Sequence, residues 1–290
     1  MEAEKIKNSL LIIIGPTSVG KSKYAFEYAK AHDGEIISAD SMQIYRGMNI
    51  GTDKPDKKTL KEVPHHLIDI KNPDEDFSVA EFLDRVKSAI IDIHSKNKLP
   101  IIVGGSGMYL AALIDGYSLP MAKANEDFRN ELYKKDKDEL YLKLKKVDPI
   151  AADKIHPNNV RRIIRALEVY ELTGKPISSL QKKKSFINEY DYKIIGLNTK
   201  REKLYKKIDD RADKMIKNGL VDEVEKLLPR YKTTSKPFLQ ALGYKEVIGY
   251  IQGKYRYEEM IEILKKNTRH FARRQMTWFK RFKGVEWMQN

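Results

Sequence analysis

Residues 10–14 form an unbroken apolar run, the pattern of a strand buried on both faces. A helical pattern follows over 23–30. Strand patterns recur at 35–39 and 65–70. Ser78 and Glu81 have capping-box spacing, predicting a helix to about residue 96 with Phe82, Val86, Ile90 and Ile93 on its apolar face. A second buried strand, 99–103, runs into Gly104-Gly105-Ser106-Gly107. Strands that alternate with helices predict a parallel sheet covered by helices on both faces. Such sheets bind ligands beyond the carboxyl ends of their strands.

The pattern changes near Asp115. Charged amphipathic helices are predicted over 126–135, 138–147 and 159–173, the last stopped by Gly174, with Lys182-Lys183-Lys184 in a loop or at a helix end. A strand pattern returns at 192–197. Thr199 and Glu202 have the spacing of a second capping box, opening a helix to about 217 that Asn218-Gly219 ends. Further helices are expected at 220–228, 239–252 and 257–282, and a short strand at 285–288. The expected organisation is an α/β core of the P-loop NTPase type, 1–116 with 191–290, interrupted by an all-helical insertion, 117–190. There is no internal repeat and no low-complexity linker.

The chain has 290 residues, enough for a full core with an insertion. No apolar run reaches membrane-spanning length, and residues 10–14 are too short for a secretion signal and lead straight into a glycine loop. No cysteine is present, which excludes disulfides and cysteine-ligated zinc or iron–sulfur centres. A cytoplasmic protein is expected. Charge is distributed unevenly. Residues 1–115 hold 15 Lys and Arg against 17 Asp and Glu, and the remainder holds 40 against 24. The whole excess of +14 therefore lies after residue 115. A basic half suggests a long polyanion, with nucleic acid the first candidate; a lysine-rich solvated surface is the alternative.

Gly15-Pro16-Thr17-Ser18-Val19-Gly20-Lys21-Ser22 fits the phosphate-cradling pattern G-x-x-x-x-G-K-[ST], set between a strand and a helix. Its backbone N–H groups would surround a di- or triphosphate, Lys21 would reach the terminal phosphates, and Ser22 would ligate Mg²⁺. Asp40 follows the second strand, placed to take a proton or hold the metal; an N-cap or Asx-turn is the alternative. Gln43, Tyr45 and Arg46 follow. The turn at Gly104 offers amides and the Ser106 hydroxyl, or else only close packing of helix on strand. Arg161, Arg162 and Arg165 lie on one helix, suited to phosphate contacts or to pairing with Glu168. The helix from Tyr257 carries cations among aromatic residues, including Arg269, Arg273, Arg274 and Trp278, although Phe271, Met276 and Phe279 could equally be core.

Together these residues resemble the tRNA dimethylallyltransferase (isopentenyltransferase) family. The likeness is carried by Gly-Pro-Thr-x-x-Gly-Lys-Ser, by Ser38-Ala39-Asp40-Ser41-Met42-Gln43-Ile44-Tyr45-Arg46, and by Pro64-His65-His66-Leu67. It continues through Gly104–Tyr109, Arg165-Ala166-Leu167-Glu168-Val169, Ala241-Leu242-Gly243-Tyr244-Lys245-Glu246 and Arg274-Gln275-x-Thr277-Trp278-Phe279. The resemblance implies transfer of a dimethylallyl group from its diphosphate to N6 of the adenosine 3′ of the tRNA anticodon, at tRNA position 37. By resemblance, Thr17, Gly20, Lys21 and Ser22 hold the leaving diphosphate with Mg²⁺, and Arg211 helps. Asp40 matches the general base, and Ser106 stands where many members have Thr near the target base. The implied tRNA-contacting residues are Asp40, Ser41, Met42, Gln43, Arg46 and Ser106, then Arg129, Arg161, Arg162 and Arg165. Gln240, Gly243, Tyr244, Lys245, Arg274 and Gln275 complete them. The insertion would grip the anticodon stem-loop, with the protein a monomer away from any membrane. Two other readings of the motifs are a P-loop kinase of a small metabolite and an RNA-binding nucleotide switch without group-transfer chemistry.

Overall fold

The computed structural model describes residues 8–116, 125–180, 185–231 and 235–290. It consists of two compact units, 1–114 with 186–290, and 115–185.

The first unit contains strands β1 (Ser9–Ile14), β2 (Gly34–Ala39), β3 (His65–His66), β4 (Leu99–Gly104), β5 (Asp191–Asn198) and β6 (Val285–Gln289). All pairings are parallel, in the order β3-β2-β4-β1-β5-β6. The apolar run of β1 lies near the middle of the sheet, each of its residues from Leu10 to Ile14 buried, as a strand covered on both faces requires. Three helices before the insertion, α1 (Lys21–Ala31), α2 (Lys57–Glu62) and α3 (Val79–Ser95), connect strands, and α4 (Gly107–Asp115) follows β4. Phe82, Val86, Ile90 and Ile93 form the buried stripe of α3, as their spacing predicts.

Local departures from the sequence pattern have physical causes. The third strand stops after two residues because Leu67 and Asp69 adopt left-handed backbone, with φ of 63° and 55°. Ser78 does accept the Glu81 N–H, at 3.1 Å. The Glu81 carboxylate does not return the bond; it is drawn to Arg85 and Lys71, at 2.9 and 3.3 Å. Thr199 caps nothing: its N–H goes to Asn198 Oδ1, and Lys200 is the N-cap of the following helix. The short helix α2 escapes a periodicity search because six residues make less than two turns.

In the second unit lie α5 (Glu126–Tyr133), α6 (Lys137–Val147), α7 (Pro149–Lys154), α8 (Val160–Thr173) and α9 (Ile177–Leu180). Leu132, Leu140, Leu144, Ile163, Ile164 and Leu167 form its apolar core. Gly174 ends α8 in left-handed conformation, as expected, and Asn159, placed inside the expected helix, is its N-cap. Glu168 is wholly buried within this core. Its Oε1 meets Arg129 Nε at 2.8 Å and the Asn125 N–H at 2.7 Å; its Oε2 meets Arg129 Nη2 at 2.9 Å and Arg165 Nη1 at 2.6 Å. Arg129 and Arg165 are therefore internal ion-pair partners, where the family resemblance implies RNA contacts. Burial raises the Glu168 pKa, but the bonds from Arg129, Arg165 and Asn125 outweigh it and hold the group below its ordinary value. Stability from this carboxylate is thus present above its unfolded pKa and lost as pH falls through the lowered folded value. Glu168→Ala is expected to cost about 3–5 kcal/mol, since it leaves two partly buried guanidinium groups unpaired. Urea unfolding of the full chain checks this; an unchanged midpoint would show the cluster to be dispensable.

After the insertion come a 3₁₀ turn (Phe186–Glu189), α10 (Arg201–Lys217) and α11 (Leu220–Leu227), then α12 (Lys236–Gln240), α13 (Tyr244–Ile251) and α14 (Tyr257–Phe279). The single helix expected over 239–252 is two, broken before Tyr244 where Gly243 takes φ of 92°. These helices build a second core of the first unit around Met48, Met215, Leu220, Phe238, Tyr244 and Leu264. Among the described residues no helix is long and apolar enough to cross a membrane. Lys182, Lys183 and Lys184 lie outside the described residues.

Candidate active site

The site follows from strand register. Gly104 at the end of β4 pairs with Ile14 of β1 on one side and Ala39 of β2 on the other. The next residues, Gly15, Gly105 and Asp40, therefore leave the sheet side by side, on strands about 4.8 Å apart. This alignment brings the phosphate-type loop, the Gly104 turn and Asp40 to one edge. A side chain at Gly15 would meet Leu197 O at 2.5 Å. At Gly104 and Gly107 a Cβ would lie 2.3 Å from Ala39 O and 2.7 Å from the Trp278 ring, so tight packing accounts for those two glycines.

Ser18 sits in left-handed conformation, with φ of 63°, between Pro16 and the N-terminus of α1. Lys21 Nζ donates to Pro16 O at 2.8 Å. Burial lowers the Lys21 pKa to about 8; Asp40 offsets part of that effect and Arg211 adds to it. Arg211 of α10 donates to the Thr17 hydroxyl, and its Nε lies 3.2 Å from Asp53 Oδ2. Ser18 Oγ is buried without a hydrogen-bond partner, and Arg211 Nε, although beside the Asp53 carboxylate, makes no well-formed hydrogen bond to it. An unsatisfied buried hydroxyl on this loop, next to a guanidinium, fits the seat of a polar ligand.

Asp40 combines both readings of its position. Oδ1 accepts the N–H groups of Met42 at 2.8 Å and Gln43 at 3.4 Å, closing an Asx-turn. Oδ2 receives no hydrogen bond from a described residue and is available for chemistry. Ser106 Oγ accepts the Ser41 N–H at 2.9 Å and donates to Ser41 Oγ at 3.2 Å, joining the two strand-end loops.

Two cavities open here, both within the first unit. The larger, about 1030 Å³, includes Thr17, Ser18, Gly20, Lys21, Ser22, Asp40 and Arg211 in its wall. The smaller, about 310 Å³, is walled by Ser41, Met42, Ser106, Gln240, Lys245 and Arg274, together with Asp40 and Thr17. Lys21 and Asp40 thus share one cleft, and the cations Lys245 and Arg274 stand at the smaller cavity. Arg274 lies 5.8 Å from the centre of the Phe271 ring.

Several sequence candidates have other duties. Gln275 is buried: Oε1 accepts the Thr17 N–H and Nε2 donates to Gly105 O, both at 2.8 Å, bracing the phosphate-type loop against the Gly104 turn. Gln43 is engaged by Ser38 Oγ, Thr52 O and Asp53 O. Tyr244 is fully buried, and its hydroxyl donates to Glu223 Oε1 at 2.5 Å, so it is a core residue. Gly243 gives its N–H to Glu246. Arg46 is exposed beside the site but lines neither cavity. Arg161 and Arg162, in the other unit, are exposed and form no ion pair with a described residue.

Sequence reading missed Glu223. Its carboxylate accepts the N–H groups of Asn49, Ile50 and Gly51 and so pins the loop carrying Thr52, Asp53 and Lys54 into the larger cavity. It lies about 170 residues away in a helix's first turn, and no local motif announces it. Mg²⁺ is bound through one or two protein oxygens plus phosphate and water. The hydroxyl of Ser22 and the carboxylate of Asp40 on one cavity wall fit that donor set. Among the described residues, Glu35, His66 and Asp92 alone form a three-membered cluster of metal-type ligands. Glu35 is the second residue of β2, near the strand's start and away from the Asp40 end, and Lys96 and Lys98 already pair with it.

The chain is similar along nearly its whole length to proteins named tRNA dimethylallyltransferase. A family model described as IPP transferase matches residues 43–282. The tRNA dimethylallyltransferase of Caldanaerobacter subterraneus subsp. tengcongensis is 50% identical over 285 residues, spanning 96% of this chain and 90% of that protein. That of Alkaliphilus oremlandii is 47% identical, spanning 97% and 91%. The structure of full-length tRNA isopentenylpyrophosphate transferase from Bacillus halodurans superposes with a TM-score of 0.72 at 45% identity, covering 97% of this chain and 90% of that one. A eukaryotic dimethylallyltransferase acting on tRNA superposes with a TM-score of 0.83 at 32% identity, covering 97% and 74%. With its glycine loop, Asp40 and two joined cavities in one unit, and with relatives this similar over nearly all its length, the chain belongs to the IPP transferase family.

Proposed function

We propose that the chain transfers the dimethylallyl group of dimethylallyl diphosphate to N6 of the adenosine at position 37 of tRNA. The observation that carries this reading is the meeting of the two cavities at Asp40 and Thr17. One cavity has an anion seat with the unspent buried hydroxyl of Ser18 and the cations Lys21 and Arg211; the other is sized for a flipped base. The diphosphate binds Ser18, Lys21, Arg211 and the loop amides. The allylic C–O bond breaks and its electron pair leaves with the diphosphate, whose growing charge these groups stabilise. The adenine N6 forms the new C–N bond, and its proton passes to Asp40 Oδ2. Mg²⁺ on Ser22 would supply further charge neutralisation at the diphosphate. Ser106, at the acceptor cavity, holds the Ser41 turn that faces the base. A single chain provides every group, so a monomer suffices, working on tRNA in the cytoplasm.

The helical unit engages the anticodon stem-loop through Arg161 and Arg162. Replacing both by Ala is expected to weaken tRNA binding and to lower the log–log salt slope by about one per lost phosphate contact. An unchanged slope would remove them from the RNA surface. The whole reading is tested by mass spectrometry of nucleosides from tRNA incubated with the protein, dimethylallyl diphosphate and Mg²⁺. The expected product is N6-isopentenyladenosine. Phosphoryl transfer from ATP without prenylation, or tight tRNA binding with no added mass, would overturn it.

A further inference from the structure

The transferred carbon is bonded to a diphosphate oxygen before reaction and to a base nitrogen after it. It must therefore lie where the donor and acceptor cavities overlap. Six residues line both cavities: Thr17, Asp40, Thr52, Arg211, Met215 and Phe271. Thr17, Asp40 and Arg211 belong to the reacting and diphosphate end. The Thr52 hydroxyl is spent on Met48 O at 2.5 Å. Met215 and Phe271 are the apolar remainder.

Behind them the wall is a seam between two helices. Ile208, Ala212 and Met215 recur at i, i+4 and i+7 on α10, and Leu264, Thr268 and Phe271 do so on α14. The hydroxyl of Thr268 donates to Leu264 O at 2.8 Å within its own helix. The Thr268 proton is thus spent within the helix, and the other five of these seam residues carry no hydroxyl, amide or charged side chain. Met215 is 8% exposed and anchored in the core with Met48 and Leu220, so it does not swing aside freely.

We infer that Met215 and Phe271 are the specificity-determining wall for the prenyl chain, selecting a five-carbon donor without a hydroxyl. This inference rests on the proposed prenyl transfer. A hydroxyl on the far end of the chain would lose its water and find on the seam no side-chain donor and only the Thr268 oxygen as an acceptor, too little to replace what water gives. A ten-carbon chain would press on the anchored Met215 side chain. The reacting end is untouched by either change, so discrimination falls on the hydrocarbon alone.

The test compares kcat/KM for dimethylallyl diphosphate, its terminally hydroxylated analogue and geranyl diphosphate. The wild-type protein is expected to favour dimethylallyl diphosphate over the hydroxylated donor by about 10–100-fold. Met215→Ala is expected to raise geranyl use relative to dimethylallyl use by about 10-fold or more, as the wall recedes. Met215→Gln is expected to narrow the hydroxyl preference by supplying a partner. Phe271→Leu provides an independent change of the same wall. Because each readout is a ratio between donors in one protein, partial loss of folding does not move it. Ratios unchanged in all three variants would overturn the inference while leaving prenyl transfer intact. Wild-type protein that uses none of the donors would overturn the proposed function itself.

Discussion

Asp40→Asn is expected to lower the rate of prenyl transfer by about 10²–10⁴-fold, the contribution of a well-placed general base. Asn keeps an Oδ1 acceptor for the N–H groups of Met42 and Gln43, so the turn that faces the acceptor cavity persists. It replaces the unengaged Oδ2 with an amide nitrogen that cannot accept a proton. Affinities for dimethylallyl diphosphate and tRNA are expected to stay close to wild type, because the lost interaction belongs to the transition state. Asp40→Ala removes base and turn together, and should weaken tRNA binding as well. Single-turnover transfer, with separate binding measurements, separates the two. Near-normal turnover by Asp40→Asn would exclude the carboxylate as the base.

Lys21→Met is expected to cost about 10²–10³-fold in turnover, the scale seen when one preorganised charge stabiliser is removed. The cation lies in the wall of the diphosphate cavity beside Arg211. Its lowered pKa, about 8, gives a second readout. Lys21 is charged below that value and loses its proton as pH rises through it. The kcat/KM for the donor, which reports the free enzyme, should therefore fall above about pH 8. Lys21→Met should lack that alkaline limb. A limb that survives the substitution would belong to another group.

Much of the α/β core is legible from local pattern. Two-sided burial writes the strands as apolar runs, and 10–14 and 99–103 carry that signature plainly. The stripe of α3 and the ends of α8 are equally local, since caps and periodicity act over a few residues. Legibility fails where backbone and side chains answer to distant partners. Left-handed Leu67 and Asp69 cut a predicted strand short, and Gly243 splits a predicted helix. Arg165, Tyr244 and Gln275 sit in motifs that resemble RNA-contacting stretches, and Arg129 is an implied contact outside them. Each also has an internal duty that the sequence does not show: two partly buried arginines on Glu168, a buried phenol on Glu223, and an amide bridging two loops.

The amino-acid sequence alone determined the glycine loop, the parallel α/β arrangement, the basic second half and Asp40 as the acid at a strand end, because these depend on composition, short periodicity and contiguous motifs. Tertiary structure alone decided that Asp40 and Lys21 share a cleft, which cations remain free, and which apolar side chains line both cavities. Those outcomes depend on strand register and on helices brought together from positions far apart in the chain. Ion pairing in a buried core also consumes charge that composition counts as surface.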